Sequence, residues 1–556
     1  MIRFSSCRGV SFEINPTNTS PFALPTHLQN AAEGTRFRIP WTWSRRISIR
    51  VFPRSQSKAS SHFCNLSDQE DDDEEKEEEE EEMASPIDDV EKQKSSPYDS
   101  HREQEKPLQQ QPSQKRVDVA KGKQQRESRL RVILLDQGLL TVYKRLFAFF
   151  FSLNVTALVL AATGRFPYAR GKPALFSIIN VLALSICRSE ALLRVVFWLA
   201  VKVVGREWVP LWIKTSTTSL LQSLGGVHSS CGIASIAWLV YALILTLKHR
   251  DSTSNEIVAA ASAILFLLFL STMAAFPLIR HLHHNVFEQT HRVAGWAALA
   301  LLWIFIILTF SYDPRFKSYN FRISRLIKQV EIWLTLAITL LILLPWVGVR
   351  RVAVTAVAAP SGHASLIKFN GGVEAGILGR ISRSPISDWH AFGIISDGER
   401  EHMMLAGAVG DFTKDLVSDP PTHLWVRKVQ FAGLPYLVNM YRRVVLVATG
   451  SGICVFLSFL LQPCAADVCL VWVAKGIEMN FGKEIKEMVS GFPKEKVIIH
   501  DTAILGRPNV AEMSVEAAGR WKAEVVIVTS NPQGSRDVVN ACKGAGIPAF
   551  GPIWDS

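Results

Sequence analysis

The sequence lacks the cysteine motifs that would organise a metal or disulfide scaffold. Its 556 residues include eight scattered cysteines, with no CxxC pair and no Cys/His zinc spacing. This argues against an iron–sulfur cluster, a zinc module or a disulfide framework, and indicates a reducing compartment. No nucleic-acid recognition motif accompanies the net charge of +11, so nucleic acid is not an expected partner. In a membrane protein such a charge favours contact with anionic lipid or with a phosphate-bearing cofactor.

The start of the chain also lacks the apolar core of a secretory signal peptide, which is about 7–15 residues long. Residues 1–67 are rich in Ser and Arg, which is typical of an organelle transit segment or of a basic disordered tail; we take the second interpretation. The run from Asp68 to Glu82 is almost wholly acidic, and self-repulsion keeps such a run extended. We predict a disordered region over residues 1–128.

Long hydrophobic stretches are confined to the middle of the chain. A membrane-spanning helix needs about 20 apolar residues. Six candidates occur: Leu146–Thr163, Ala174–Val204, Ser219–Leu247, Ile257–Ile279, Val293–Phe310 and Ile332–Val349. They predict a six-helix transmembrane bundle over residues 140–350, and hence an integral, multi-pass protein in contact with a lipid bilayer. The sequence leaves open whether this is the plasma membrane or an organelle membrane.

The second candidate span carries charges that a lipid environment disfavours. Arg188, Glu190 and Arg194 lie near its middle, and each charge at mid-bilayer costs about 2.5–3.5 kcal/mol or more. We therefore expect this stretch to bend, to leave the membrane early, or to pair its charges inside the bundle.

The C-terminal part predicts two soluble domains. Residues 351–438 contain short β-rich pieces broken by Gly, Pro and Ser, which predict a small antiparallel β-barrel. Residues 441–556 alternate strands with helices, which predicts an α/β domain with a parallel sheet. The expected fold class is thus a multi-domain membrane protein: a six-helix bundle, then an antiparallel β-barrel, then an α/β nucleotide-binding domain.

A glycine turn follows the first strand of the α/β domain. The run 444–448 is β-branched, Gly450 and Gly452 come next, and the segment from Ile453 to Leu461 is apolar. A strand, a glycine turn and a helix N-terminus together can bind a dinucleotide pyrophosphate. The alternative is an ordinary βα turn in which the glycines are needed for the backbone conformation and bind no ligand.

Two further loops follow later strands of the same sheet. GRPN contains Arg507 and Asn509, and TSNPQGS contains Ser530, Asn531 and Pro532. An arginine in such a loop can pair bidentately with a phosphate. Because open α/β sheets bind ligands at the carboxyl ends of their strands, the three loops together predict a nucleotide site.

The barrel region offers a second set of candidates. His390 and Phe392 lie on one side of an extended strand, and a polar group beside an aromatic ring suits a flavin. Gly407 and Gly410 form a flexible turn before Thr413 and a helical run, where a phosphate could bind. The alternative is a partly buried strand followed by turn residues.

Two histidines fall within apolar spans. His228 lies in the third candidate span and His291 opens the fifth; ionisable residues there are usually functional. If these spans cross in the same direction, both imidazoles share a depth, as bis-imidazole ligation of haem requires. The alternative is a hydrogen-bonded interior His228 and an interfacial His291.

The order of parts resembles the ferric-reductase and NADPH-oxidase superfamily of transmembrane flavocytochromes over about residues 140–556. Residues 389–392 resemble its HPF[TS] flavin motif, 407–413 its pyrophosphate turn and 450–453 its GxGI motif; GRPN at 506–509 and the triplet 530–532 complete the set. The resemblance implies a ferredoxin-reductase-like half that binds FAD and NADPH (or NADH), and passes electrons through FAD to haem and to an acceptor that the sequence does not identify. It also implies that Trp554 covers the flavin.

Several departures limit what this resemblance implies. The resembled family carries two histidines on each of the third and fifth spans, and each cross-span pair binds one haem. In this sequence the second pair would fall near Tyr241 and Ile304, which are not histidines, so at most one haem b can be bound in the family's way. Gly393 replaces the hydroxyl residue expected near flavin N5, Val455 stands at the usual proline, and Ser530 replaces a cysteine. The alternative function is a catalytically degenerate flavoprotein-like sensor or scaffold. Some relatives of this branch are fused to adenylation domains, but no adenylation signature occurs here.

Overall fold

The computed structural model describes residues 141–553 and two short strands near the N-terminus. These strands, β1 (Ile2–Ser5) and β2 (Ser11–Ile14), pair antiparallel as a hairpin. The rest of the region predicted to be disordered lies outside the described residues, as does Trp554.

Helices make up most of the described chain up to residue 346. Their bounds are α1 Val142–Ala162, α2 Pro167–Gly171, α3 Pro173–Ile186, α4 Glu190–Val204, α5 Leu211–Gln222, α6 Gly225–Lys248, α7 Asn255–Ala274, α8 Pro277–Leu282, α9 His284–Ser311, α10 Ile323–Leu326 and α11 Val330–Leu343. A 3₁₀ turn at Leu344–Trp346 extends α11, and two short strands, β3 (Tyr312–Asp313) and β4 (Ser318–Tyr319), pair between α9 and α10.

The prediction of six spans is not confirmed. Among the described helices, α1, α6, α7 and α9 are long and apolar enough to cross a membrane, and α3 with α4 would make a fifth if the bent pair counts as one span. The stretch predicted as the sixth span forms α11, which has 14 residues. At 1.5 Å per residue a helix of that length falls short of a hydrocarbon core of about 30 Å.

The second predicted span bends, as expected from its charges. It breaks between α3 and α4, whose axes differ by 64°. Glu190, at the start of α4, forms ion pairs with Arg380 and with Arg427, the latter at 3.3 Å. Arg194 donates a hydrogen bond to the carbonyl oxygen of Gln430 at 3.1 Å. The carboxylate of Glu190 is therefore paired with arginines of the C-terminal half, and α4 forms the junction between bundle and C-terminal half.

The antiparallel region forms two sheets, and no closed barrel occurs among the described residues. One sheet has the order β10-β11-β7-β6, and the other β13-β8-β12-β5 with β9 on β8. The prediction of a barrel was wrong because the two sheets are not joined along their edges. The bounds are β5 Arg350–Ala353, β6 Thr355–Ala358, β7 Ala364–Asn370, β8 Ile377–Ser382, β9 His390–Gly393, β10 Ile395–Ser396, β11 Glu401–Gly407, α12 Asp411–Ser418, β12 His423–Val426 and β13 Phe431–Ala432.

The α/β domain matches its prediction. Five parallel strands have the order β16-β15-β14-β17-β18, with β14 at the centre and no exposed residue in β17. Fully buried strands of this kind need near-continuous apolar runs, which the sequence supplies. The bounds are β14 Arg443–Thr449, α13 Ser458–Leu461, β15 Asp467–Ala474, α14 Ile477–Phe481, α15 Lys483–Ser490, β16 Val497–Asp501, α16 Thr502–Leu505, α17 Val510–Trp521, β17 Val525–Thr529, α18 Pro532–Gly544 and β18 Ala549–Phe550.

The apolar helix predicted after the glycine turn does not form. Residues Gly450–Val455 adopt a 3₁₀ turn, and α13 has only four residues. Ser458 and Gln462 fasten this segment to the antiparallel region: Ser458 donates to the carbonyl oxygen of Ile394 at 2.7 Å, and Gln462 donates to that of Ser396 at 3.1 Å. The segment is apolar because it fills the core between the two soluble domains.

Candidate functional site

Both predicted histidines line one cavity inside the bundle. His228 near the start of α6 and His291 in α9 face a space of about 710 Å³. Cofactor pockets typically measure about 300–1,000 Å³. The two side chains that the sequence placed 63 positions apart therefore meet one cavity that is large enough for a cofactor.

Each imidazole is held by a hydrogen bond from its Nδ1 atom. Nδ1 of His228 donates to the carbonyl oxygen of Leu184 at 3.1 Å. Nδ1 of His291 lies 2.7 Å from the hydroxyl of Ser271 and 3.3 Å from the carbonyl oxygen of the same residue. A metal-bound histidine usually has its other ring nitrogen fixed in this way. The arrangement leaves each Nε2 as the nitrogen that can bind a metal.

A glycine stands four residues after each histidine. Residues four apart share a helix face, and Gly232 and Gly295 both line the same cavity as His228 and His291. A Cβ atom built on either glycine would meet no atom within 4 Å. The missing side chains leave room for a flat molecule to approach both helices closely.

One end of the cavity is cationic. Arg188, at the break between α3 and α4, lines it together with Arg280 and Arg292. Arg292 is paired with Asp388 at 3.1 Å and more loosely with Glu288 at 3.9 Å. An apolar cavity with arginines at one end suits an amphipathic ligand that carries carboxylates.

Aromatic side chains of α3 and α6 pack together around Trp238. Tyr241 contacts Trp238, and Trp238 stacks on Phe176 with centroids 4.7 Å apart. Trp238 is fully buried and donates to Asn154 at 3.1 Å. Among the described residues no group of three or more His, Cys, Asp or Glu side chains could hold a metal ion.

In the α/β domain the glycine turn is buried. Gly450 adopts a φ of 53°, and its carbonyl oxygen accepts from the indole of Trp472 at 2.9 Å. Gly452 and Ile453 are buried behind it. Burial raises the pKa of the adjacent Cys454 thiol to about 12. That thiol is consequently protonated at neutral pH and is no nucleophile.

The three predicted loops share the carboxyl edge of the parallel sheet. The loops after β14 and β17 are neighbours, since the hydroxyls of Thr449 and Ser530 lie 2.8 Å apart. The GRPN loop follows β16 and α16, with β15 between it and β14. Arg507 in this loop is exposed.

Two of the loop residues cap helices. Asn509 accepts from the backbone N–H of Glu512 at the start of α17, at 3.3 Å. Asn531 accepts from that of Gly534 at 2.7 Å, and Pro532 is buried in the first turn of α18. Both asparagines thus satisfy N–H groups that a helix start leaves without a partner.

In the antiparallel region an aromatic side chain covers the predicted flavin residues. The imidazole of His390 lies parallel to the ring of Phe412, with centroids 3.9 Å apart and planes at 15°. Phe392 and Phe412 have centroids 6.4 Å apart. His390 is 9% exposed and Phe392 5%. In this conformation His390 and Phe392 are buried, and the ring of Phe412 stacks on the imidazole.

The turn before α12 is organised by Thr413. Its hydroxyl accepts from the N–H groups of Val409 at 3.1 Å and Gly410 at 3.0 Å, and donates to the carbonyl oxygen of Gly410. Gly407 ends β11 at the entrance to this turn. Two N–H groups that a phosphate would need are thus already satisfied within the chain.

Gly393 lies directly against the glycine turn of the other domain. A Cβ built on Gly393 would lie 2.6 Å from Cγ1 of Val455 and 2.8 Å from its backbone nitrogen. No side chain fits at position 393, so the hydroxyl that the family carries there cannot be accommodated.

Sequence reasoning missed four contributors to these sites: Gly232, Gly295, Arg188 and Phe412. The matching spacing in HSSCG and HRVAG was a usable signal for the two glycines, because it repeats at both histidines. The position of Phe412 over His390 depends on a contact between β9 and α12, and no local pattern predicts such a contact.

Comparisons with known proteins add an independent line of observation. Residues 434–556 match the family described as adenylate-forming reductase 03009, C-terminal domain. Adenylate-forming reductases 06235 and 03009 of Coprinopsis cinerea are each 32% identical to this chain, over 437 and 435 residues. The matches cover 76% of this chain and 41% of each relative, so this chain spans about two fifths of their length. A match of that extent is too long for the C-terminal half alone and includes the bundle.

Two solved structures are similar in part. Phthalate dioxygenase reductase, described as a modular structure for electron transfer from pyridine nucleotides to [2Fe-2S], has a TM-score of 0.29 at 11% identity, over 37% of this chain and 68% of that one. Ferredoxin-NADP+ reductase from Plasmodium falciparum with 2'P-AMP has a TM-score of 0.28 at 9% identity, over 36% and 96%. Both TM-scores are low.

Proposed function

We propose that this chain is a membrane-bound oxidoreductase whose redox centre is one haem b, held in the bundle cavity by His228 and His291. The observation that carries the proposal is the cavity itself, which presents two oriented imidazoles and two glycine gaps. Bis-histidine ligation by bundle helices is a common way of holding haem iron. When bound, haem supplies one-electron chemistry that protein side chains lack.

The residues of the chain fit this group in three ways. The Nδ1 hydrogen bonds to Leu184 and Ser271 fix the ring orientations. Gly232 and Gly295 leave space for a planar macrocycle. The arginines at the junction end of the cavity would pair with the haem carboxylates.

The outer surface of the bundle supports the membrane part of the proposal. Large apolar side chains point outward from several helices, among them Leu153, Phe266 and Val293, each more than half exposed. Contiguous apolar exposure on this scale is typical of a membrane or partner surface.

Haem content of the detergent-purified protein tests the proposal. We expect one haem per chain by pyridine haemochrome assay, and loss of haem in His228→Ala and in His291→Ala. His249→Ala is the matched control, because His249 is exposed at the end of α6 and does not line the cavity. A wild-type protein without haem after expression with a haem supplement, or haem retained in both cavity variants, would refute the proposal.

A second candidate is NAD(P)H-dependent reduction of a flavin in the C-terminal half. It is favoured by the three loops at one sheet edge and by the similarity to proteins named as reductases. FAD would lie near His390, Phe392 and Thr413, and the nicotinamide nucleotide near the glycine turn and Arg507.

Nucleotide binding tests this second candidate. Isothermal titration with NADPH and with NADH should give a saturable signal that Arg507→Ala weakens, if the loops bind phosphate. Binding of neither nucleotide, together with absence of flavin reduction, would leave the degenerate sensor or scaffold as the function of this half.

A further inference from the structure

The flavin region of the antiparallel domain is filled by the protein's own side chains. His390 and Phe392 on β9 carry the positions that would meet a flavin, and both are buried by other side chains of the protein. The ring that covers them belongs to Phe412, the second residue of α12. It stacks on His390 at 3.9 Å with nearly parallel planes.

The stacking geometry matters because a flat ring can bind only to a free ring face. Phe412 lies tilted by 32° against Phe392, with centroids 6.4 Å apart, while it covers the imidazole. Offset-stacked and tilted ring pairs of this kind are favourable by themselves. An isoalloxazine that stacked on Phe392 would meet Phe412 in the space it needs.

The opposite side of the same strand is closed by a different element. Val455 of the glycine turn touches Gly393 so closely that a Cβ there would lie 2.6 Å from its Cγ1 atom. Ser458 and Gln462 hold the turn in place through bonds to the backbone of residues 394 and 396. Backbone contacts and hydrogen bonds therefore hold this side of the strand, whereas the cover on the other side is the single, partly buried side chain of Phe412.

We infer that Phe412 and the planar ring of a flavin compete for one site, so that a flavin binds this chain as a dissociable ligand and not as a retained cofactor. The inference rests on the second candidate function, which supplies the flavin as ligand class. Phe412 is only partly buried, so its ring can rotate outward without crossing the core. The Thr413 bonds hold the start of α12 in place while it does so.

Fluorescence titration of FAD against the detergent-purified full chain tests the inference. We expect wild-type protein to lose flavin during purification and to bind added FAD weakly. Phe412→Ala should lower the Kd for FAD by about tenfold, the upper end of what one ring stack contributes. Val417→Ala, a half-buried position five residues further along the same helix, is the matched control and should leave the Kd unchanged.

The outcomes separate the inference from the function on which it rests. FAD that copurifies stoichiometrically with wild-type protein, or a Kd that Phe412→Ala does not lower, overturns the competition while leaving the flavin function standing. Absence of FAD binding in wild type and variant alike overturns both. Thermal unfolding and haem content equal to wild type must show that the variant is folded.

Discussion

The hydroxyl oxygen of Ser271 lies 2.7 Å from Nδ1 of His291. This contact joins α7 to α9 across the cavity wall and fixes the imidazole plane. The backbone carbonyl of Ser271 lies 3.3 Å from the same nitrogen, so the residue offers two oxygen atoms to one ring. Such a hydrogen bond fixes the orientation of a ligand histidine, so that its other nitrogen, Nε2, is already positioned to bind a metal.

Ser271→Ala should weaken haem binding without abolishing it. Removing the hydrogen-bond partner of a ligand histidine typically lowers metal affinity by about 10–100-fold. Because the carbonyl oxygen of residue 271 remains next to Nδ1 of His291, we expect a loss near the lower end of this range. Titration of haem-depleted protein with hemin measures it. Thr309→Ala on α9 removes a hydroxyl bonded to Phe305 and serves as control; equal losses in both variants would contradict the role given to Ser271.

Gly295→Leu should abolish haem binding while leaving the bundle folded. A Cβ built on Gly295 meets no atom within 4 Å, and Gly295 lines the cavity, so a leucine side chain there would occupy space that the haem needs. Haem content and thermal unfolding are the two measurements. The same substitution at Gly519 on α17, also with no atom within 4 Å of its built Cβ, should leave haem content unchanged. A Gly295→Leu protein with normal haem content would show that the ligand does not lie between the two helices.

Glu190→Gln should weaken the junction between the bundle and the C-terminal half. Glu190 pairs with Arg427 and Arg380, and removing its charge leaves two arginines facing a neutral group. Hydrogen bonds to charged groups contribute about 1.5–3 kcal/mol, which should lower the unfolding temperature by several degrees and speed proteolysis near residue 350.

Glu207→Gln is the matched control for the junction. Glu207 pairs with Arg442 at 3.0 Å but is 85% exposed, and exposed pairs contribute about 0–1 kcal/mol. If both variants unfolded at the same temperature as wild type, Glu190 would have no part in holding the halves together.

Asp501 should make the α/β domain sensitive to acid. Burial opposes ionisation of its carboxylate, but the N–H groups of Ile477, Ala503 and Gly476 outweigh this and hold the pKa below the ordinary aspartate value. A depressed folded pKa contributes stability above the unfolded value, about 3.9, and this is lost as pH falls through the folded pKa. Asp501→Asn should be less stable at neutral pH and lose less stability below pH of about 4. If the free energies of unfolding of wild type and Asp501→Asn fell by the same amount between neutral and acid pH, this prediction would be contradicted.

The sequence predicted the parallel sheet well because its signal is local. The runs 444–448 and 525–528 are continuously apolar, and only a strand buried on both faces needs such a run. The helix caps at Asn509 and Asn531 are local as well, since each asparagine accepts from an N–H group three residues further along the chain.

The elements that the sequence predicted wrongly depend on tertiary contacts. The apolar segment after Gly452 is a buried turn because Ser458 and Gln462 bond to a strand of another domain. The α3–α4 bend was predictable from its charges, whereas the partners Arg380 and Arg427 stand about 190 and 237 positions away and have no local signature.

Low-temperature electron paramagnetic resonance of the oxidised, purified protein tests the central claim most directly, because it reports the axial ligands of haem iron. The account predicts a low-spin ferric signal of bis-imidazole type in the wild type, converted to a high-spin signal or lost in His228→Ala and His291→Ala. A wild-type spectrum with no haem signal, or a bis-imidazole signal that survives both substitutions, would contradict it.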